Sequence, residues 1–333
     1  MIRRPVVEEA PPLHRRSLLA LPLLAAAAPA MGQAAYPQRP VRLIVPFPPG
    51  GTTDVLARAI AAKWQEGWGQ QVVVENRGGG GGVIGAEAAF RAAPDGTTLV
   101  LGNNQTHATN GALIPNLPYD PAGFAGITLV ARAPHALVVP GTSAATTVAE
   151  LVALGRRPGR GLSYASSSAG SSSHLMSETF VRRNGMNATH VPYRGAAPAA
   201  MDLVAGTVDF MMATWASVST LAADGRIRAL GVGGAERFAD LPQVPTLQEL
   251  GYDYVSGDAW FGLFAPRGTP DPVLAAVYQA TEAALADAAV RGRLEAAGFR
   301  VATMPPAEFG AFHQAEVGRW AALVRESGVT LAN

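Results

Sequence analysis

An α/β architecture with mostly parallel sheets is what this 333-residue chain predicts, on three observations. Short runs rich in Val, Leu and Ile alternate along the chain with segments whose apolar residues recur at helical spacing. The short runs lack strict polar alternation, so they suit strands covered on both faces by helices. No self-similarity at roughly 20 to 50 residues appears, which sets solenoids and propellers aside.

Val41, Leu43, Ile44 and Val45 form the first apolar run, and Val55, Leu56, Ala59, Ile60 and Trp64 then recur at helical spacing. The expected strands are Val41–Val45, Val72–Glu75, Thr98–Leu101, Ile127–Val130, Ala136–Val139, Leu162–Ala165, Val208–Met212 and Ala229–Val232. The expected helices are Thr53–Trp68, Val83–Ala92, Val148–Leu154, Ser173–Arg183, Ala197–Ala205, Pro272–Ala288 and Pro306–Ser327. Residues 1–35 stand outside this pattern. Basic residues precede an apolar stretch from Leu18 to Ala28, and small residues follow around Ala28-Pro29-Ala30 and Gly32-Gln33-Ala34. That is the layout of a secretory signal peptide, and the stretch falls short of the ~20 residues that span a bilayer. Arg15-Arg16 ahead of Ser17-Leu18-Leu19 resembles a twin-arginine signal and also fits ordinary secretion.

The leader holds four Arg and two Glu, so a formal +1 for the whole chain becomes near −1 after its removal. Such a balance argues against a nucleic acid partner. Cysteine is absent, which removes thiol catalysis, disulfides and cysteine metal sites together. The six histidines include no pair at metal-ligand spacing on a helix and no HExxH, so neither metal nor cofactor is expected.

Four stretches carry candidate chemistry. Gly80, Gly82 and Gly85 make a formal GxGxxG, but the acidic residue of a dinucleotide site is missing, and a flexible strand-to-helix connection explains the glycines. In "VPFPPGGTTDVLAR" a strand breaks at prolines and restarts as a helix, with Thr52 or Thr53 as cap and Asp54 in the first turn. Capping needs neither Pro48-Pro49 nor two glycines in a row. A proline-stiffened turn that holds backbone N–H groups open reads as an anion cradle. "YASSSAGSSSHLMSETF" repeats the arrangement with serines and Gly170, and it lacks the G-x-S-x-G elbow of a serine nucleophile. In "HVPYRGAAPAAMDLVAGTVDF", Tyr193, Arg194 and Gly195 lie between a short strand and a helix. Two readings of Arg194 stand, a bidentate carboxylate clamp and a surface charge.

Five motifs in order, from "YPQRPVRLIVPFPPGGTTDVLAR" through "VVVENRGGGGGVIGAEAAFRAAPDGTTLVLG" and the two stretches above to "LPQVPTLQELGY", resemble the landmarks of Bug-type extracytoplasmic solute receptors of tripartite tricarboxylate transporters, the TctC-like family. The resemblance implies a two-lobed α/β fold, the type 2 periplasmic-binding-protein or Venus flytrap fold, with a ligand cleft between lobes. It implies binding of a small organic carboxylate through Phe47, Pro49, Gly50, Gly51, Thr52 and Asp54, through Ser166, Ser167, Gly170 and Ser171, and through Tyr193, Arg194 and Gly195. Relatives usually carry an Asn-containing loop where this chain has Ala213-Thr214-Trp215-Ala216-Ser217, so Thr214 and Trp215 are expected at the cleft, with Trp215 narrowing it. Trp215 and His107 are expected among the side chains that discriminate ligands. Arg194 stands where many relatives have lysine.

The lobes expected are 36–133 with 258–333, and 134–257, joined by crossings near Ala131–His135 and Ser256–Trp260. The function expected is a non-catalytic periplasmic receptor, monomeric, that delivers its solute to membrane transporter subunits. Two other classes stay open: an exported hydrolase using one of Ser166 to Ser173 with a histidine, and a solute sensor docking on a signalling receptor.

Overall fold

A computed structural model describes residues 36–159, 161–234, 236–255 and 257–331; the expected signal peptide and Ser256 lie outside these. In chain order the elements are β1 (Val41–Val45), α1 (Thr52–Trp68), β2 (Val72–Asn76), α2 (Val83–Phe90), β3 (Thr98–Asn103), α3 (Asn110–Leu113), β4 (Phe124–Ala133) and β5 (His135–Pro140). There follow α4 (Val148–Gly155), β6 (Leu162–Ser166), α5 (Ser172–Arg183), β7 (Ala188–Pro192), α6 (Ala196–Val204), β8 (Phe210–Thr214), α7 (Ser219–Ala223) and β9 (Ile227–Val232). The chain then runs β10 (Ala259–Pro266), α8 (Asp271–Ala286), α9 (Ala288–Ala296), β11 (Arg300–Val301) and α10 (Pro306–Ser327).

The strands form two sheets, ordered β11-β4-β10-β3-β1-β2 and β7-β6-β8-β5-β9. Both are mixed, which corrects the expectation of mostly parallel sheets. β1 runs parallel to β2 and β3, and β6 parallel to β7 and β8. β10 runs antiparallel to β3 and β4, β11 to β4, and β5 to β8 and β9. The antiparallel pairings gather where the chain changes sheet. β4 hands over to β5 through Pro134 alone, and β10 re-enters the first sheet after β9 of the second. Strand direction depends on the side from which the connection arrives, and no local pattern encodes that.

Burial on both faces holds as expected. Leu43 and Val45 face a core with Leu56, Ile60, Trp64 and Leu263, while Ile44 between them faces a second core with Val100, Phe264, Phe309 and Trp320. The second sheet repeats the pattern: Leu137 and Val139 face Tyr164, Phe180 and Met212, and Val138 faces Leu203, Met211 and Trp215. Each such side chain contributes roughly 1.5–3 kcal/mol. β8 begins at Phe210 rather than Val208, because Asp209 turns back to Ser163, accepting its amide at 2.8 Å and donating its own N–H to the Ser163 carbonyl at 2.9 Å.

β10 escaped the sequence reading although all eight of its residues are buried. Gly262 makes the run look like a turn, but the glycine serves packing, since a Cβ there would stand 2.3 Å from the Phe309 ring. α10 packs on both sheets. Phe309 and Trp320 join a core of the first, Leu323 also lies against the second, and Arg182 of α5 donates to the Ser327 carbonyl at 2.9 Å. No single helix among the described residues is long and apolar enough to cross a membrane.

Candidate functional site

Four loops, each leaving the carboxyl end of a strand and opening a helical turn, converge on one cavity between the two sheets. This is where open α/β sheets place their ligands. The cavity measures about 80 Å³ and is walled by the β1–α1 loop, the end of β3, the β6–α5 loop, the start of α6, Thr214 and the apolar Ala259 and Phe261 of β10. Water needs about 10–15 Å³ by the same measure, so the space suits a small molecule.

The first loop is braced from behind. Gly50 adopts φ +79, a left-handed conformation that glycine enters without strain, and its N–H donates to Asp54 Oδ2 at 2.9 Å. Arg58 Nε reaches the same oxygen at 3.0 Å, and Asn76 Nδ2 donates to Oδ1 at 2.9 Å and to the Phe47 carbonyl at 3.1 Å. Burial works to raise the pKa of Asp54, but the bonds from Arg58, Gly50 and Asn76 outweigh it and hold the carboxyl below its ordinary value. With Asp54 so occupied, α1 starts at Gly51 with no side-chain cap. Its first amides are left for a ligand at the positive end of the helix dipole.

The serine loop is braced by histidines. Ser166 is fully buried and bonds His190 Nε2 at 2.6 Å and the Ser168 carbonyl at 3.0 Å. Gly170 donates its N–H to His174 Nδ1 at 3.1 Å, and the rings of His174 and His190 stack 3.7 Å apart at 7°. Burial pushes His174 down to about 3, helped by the facing His190, and pushes His190 down to about 4. Both rings are therefore neutral near pH 7, as such close stacking requires. Ser171 caps α5 by accepting from the His174 amide at 3.3 Å.

The third loop hangs on the second. Tyr193 and Gly195 donate their amides to the carbonyls of Ser166 and Ser167 at 3.0 and 2.8 Å. Gly195, at φ +122, opens α6 with no side-chain cap, a second uncapped helix start on the wall. Arg194 is exposed, forms no ion pair among the described residues, and is the only charged side chain on the wall.

Of the residues the sequence singled out, Phe47, Pro49, Gly51, Thr52, Ser167, Ser171, Arg194, Gly195 and Thr214 line the cavity. The others do not. Gly50 is exposed on an adjoining hollow with Gly51, Thr52 and Val55, and Asp54, Ser166 and Gly170 lie behind the wall as loop braces, the Gly170 carbonyl accepting from Thr109 Oγ1 at 3.1 Å. Tyr193 faces a neighbouring hollow beside Gly80 and Gly81, its hydroxyl given to Asp202 at 2.6 Å. Trp215 does not narrow the cleft. Its indole Nε1 donates to Asp240 at 2.8 Å and its ring packs against Phe238 in the core, away from the cavity. His107 is fully buried as well, stacked 3.8 Å from Phe264, so it discriminates nothing in the cavity.

Asn103, Asn104 and Gln105 were missed. The π-helical turn Gln105–Thr109 follows β3 directly, and an Asn-Asn-Gln run at a strand end was the available signal. Asn103 Oδ1 accepts from the amides of Gln105 and Thr106 at 3.0 and 3.2 Å. Gln105 ties the first loop system to the serine loop, donating Nε2 to the Ala169 carbonyl at 3.0 Å and accepting from Ser168 Oγ at 2.8 Å. Asn104 is 2 % exposed, and its Nδ2 has no partner among the described residues. A buried donor without an acceptor costs about 1–3 kcal/mol, a cost that the indoles of Trp64 and Trp260 in the core carry as well. No cluster of three or more His, Cys, Asp or Glu among the described residues is placed to hold a metal ion.

Comparison with known proteins agrees with this geometry. The profile of the family described as "Tripartite tricarboxylate transporter family receptor" (TctC) matches residues 56–329. BugT of Bordetella pertussis is 36% identical over 299 residues, covering 89% of this chain and 91% of its own. A structure from R. palustris solved with adipate superposes with a TM-score of 0.85 at 35% identity, covering 89% of this chain and 99% of that one. MatC from Rhodopseudomonas palustris, solved with bound malate, gives 0.81 at 34% identity, covering 87% and 100%.

Proposed function

Since this chain belongs to the TctC family of tripartite tricarboxylate transporter receptors, we propose that it captures a small organic carboxylate outside the cytoplasm and presents it to membrane transporter subunits. One observation carries the reading: loops from both sheets bring two uncapped helix starts and one guanidinium to a cavity with no carboxylate on its wall. Relatives solved with adipate and with malate support it. Each charge-assisted bond contributes roughly 1.5–3 kcal/mol, so four or five support a Kd of about 1 μM after ordering costs. The family role supports delivery to a transporter, and the leader-like residues 1–35 support export to the periplasm.

On this reading the lobes are 36–133 with 258–333, and 134–257, and they hinge at Pro134 and at the return into β10. Residues behind the wall, Asp54, Ser166 and Gly170, act by positioning the loops. The hydrolase alternative gains little from the two serine–histidine contacts. Ser166 is sealed from the cavity, and His135, which bonds Ser172, leans on the Gly257 carbonyl rather than a carboxylate.

Isothermal titration of the exported, processed protein with dicarboxylates, tricarboxylates, amino acids and aromatic acids tests the proposal. A micromolar heat of binding from at least one acid is expected, weakened about tenfold or more by Arg194→Ala. Silence across the panel rejects it.

A further inference from the structure

We propose that the cavity holds a dedicated hydrogen-bond acceptor site, formed by Ser172 Oγ and Thr214 Oγ1, which selects carboxylates that also carry a hydroxyl or ammonium group. The inference deepens the carboxylate-receptor reading and rests on it. It follows from counting protons. His135 is fully buried, with Nδ1 3.0 Å from the Gly257 carbonyl and Nε2 2.9 Å from Ser172 Oγ. A carbonyl only accepts, so Nδ1 carries the ring proton. Burial pushes His135 down to about 4, the ring is neutral, and Nε2 is left bare. The proton between Nε2 and Ser172 must therefore come from the serine. Ser172 has no other, so it turns only lone pairs toward the cavity it lines. Rotating its hydroxyl toward a ligand would strip the buried Nε2 of its partner.

Thr214 reaches the same state independently. Ser217 Oγ donates to the Thr214 carbonyl at 2.7 Å, so the 3.1 Å contact between the two hydroxyls uses the proton of Thr214. Its oxygen also meets the cavity as an acceptor. The two lie together, because Thr214 is the register partner of His135 across β5 and β8. Ser171, also on the wall, adds nothing: its proton goes to the Ser168 carbonyl at 2.7 Å, and it already accepts from the His174 amide. A carboxylate oxygen placed against Ser172 and Thr214 would meet lone pairs. The helix starts of α1 and α6 and Arg194 donate instead, so one cavity offers donors for an acid group beside acceptors for a proton-bearing one.

Titration of the full exported protein with succinate, malate and aspartate, repeated with the same substitution series one and two methylenes longer, tests this. In at least one series the hydroxy or amino acid should bind about tenfold or more tightly than the unsubstituted acid, since a site built to pair a hydroxyl discriminates against its absence. Ser172→Ala should erase most of that preference, the ratio of substituted to unsubstituted acid falling toward one. Thr214→Val provides the same test if Ser172→Ala does not fold. Binding of substituted and unsubstituted acids with equal affinity, or a preference for the unsubstituted acid, overturns the inference and leaves the carboxylate receptor standing. Failure of every acid to bind overturns both.

Discussion

The β1–α1 loop and the serine loop do the same work with opposite chemistry. Each leaves a strand and offers a helix start to the cavity, yet Asp54 holds the first with an ionised carboxyl under three donors, while neutral His174 and His190 hold the second with ring nitrogens and a stack. The difference teaches that cavity-facing amides are set by what stands behind them. It also gives the two halves of the cleft different tolerances.

The largest expected break in that comparison is Asp54→Ala. It takes one acceptor each from the Gly50 amide, Arg58 and the Asn76 amide, and should cost about 1–3 kcal/mol in a denaturant melt together with most of the solute affinity. Retained affinity with a relaxed first loop would show that the brace is dispensable.

Acidification should separate the loops. The unfolded chain takes up histidine protons near the ordinary 6.5, whereas folded His174 and His190 resist until about 3 and 4. Their contribution is full above about pH 6.5 and declines as the pH falls toward 4. Asp54 is held below its ordinary 3.8, so its contribution is full above that value and is lost only below it. Hydrogen exchange between about pH 7 and pH 4.5 should therefore loosen Gly170 and Ser171 before Gly50. Simultaneous loosening would count against separate braces. The smallest effect sharpens the boundary of the site: Trp215→Phe loses the bond to Asp240, about 1 kcal/mol, and should leave solute affinity within about twofold by titration.

Much of this was legible because burial writes itself into composition. The runs at Val41–Val45 and Leu162–Ala165 read as strands packed on both sides, and the Gly, Pro and Ser stretches after them as openings of helices. The wall residues Gly51, Thr52, Ser171, Arg194 and Gly195 followed from the family resemblance laid over those openings, the residues by themselves leaving Arg194 between a carboxylate clamp and a surface charge. Asp54 and Ser166 look like ligand contacts in one dimension because the partners that occupy them, Asn76 and His190, are more than twenty residues away. Trp215 misled for the same reason, Asp240 being its distant acceptor. Asn104 left only a faint trace, since a π turn adds a residue that helical spacing does not anticipate.

Gln105 grips the serine loop protein to protein, through both ends of its amide. If the lobes close as proposed, a clasp of that kind contributes to closure without distinguishing one solute from another. It raises the apparent affinity for every acid that fits, because less of the binding free energy is consumed in shifting the population toward the shut form. On the proposed role, the same clasp would blur the signal to any membrane partner that recognises shape, by letting empty receptor shut as well. The strength of one glutamine therefore trades scavenging at low solute against faithful reporting of occupancy.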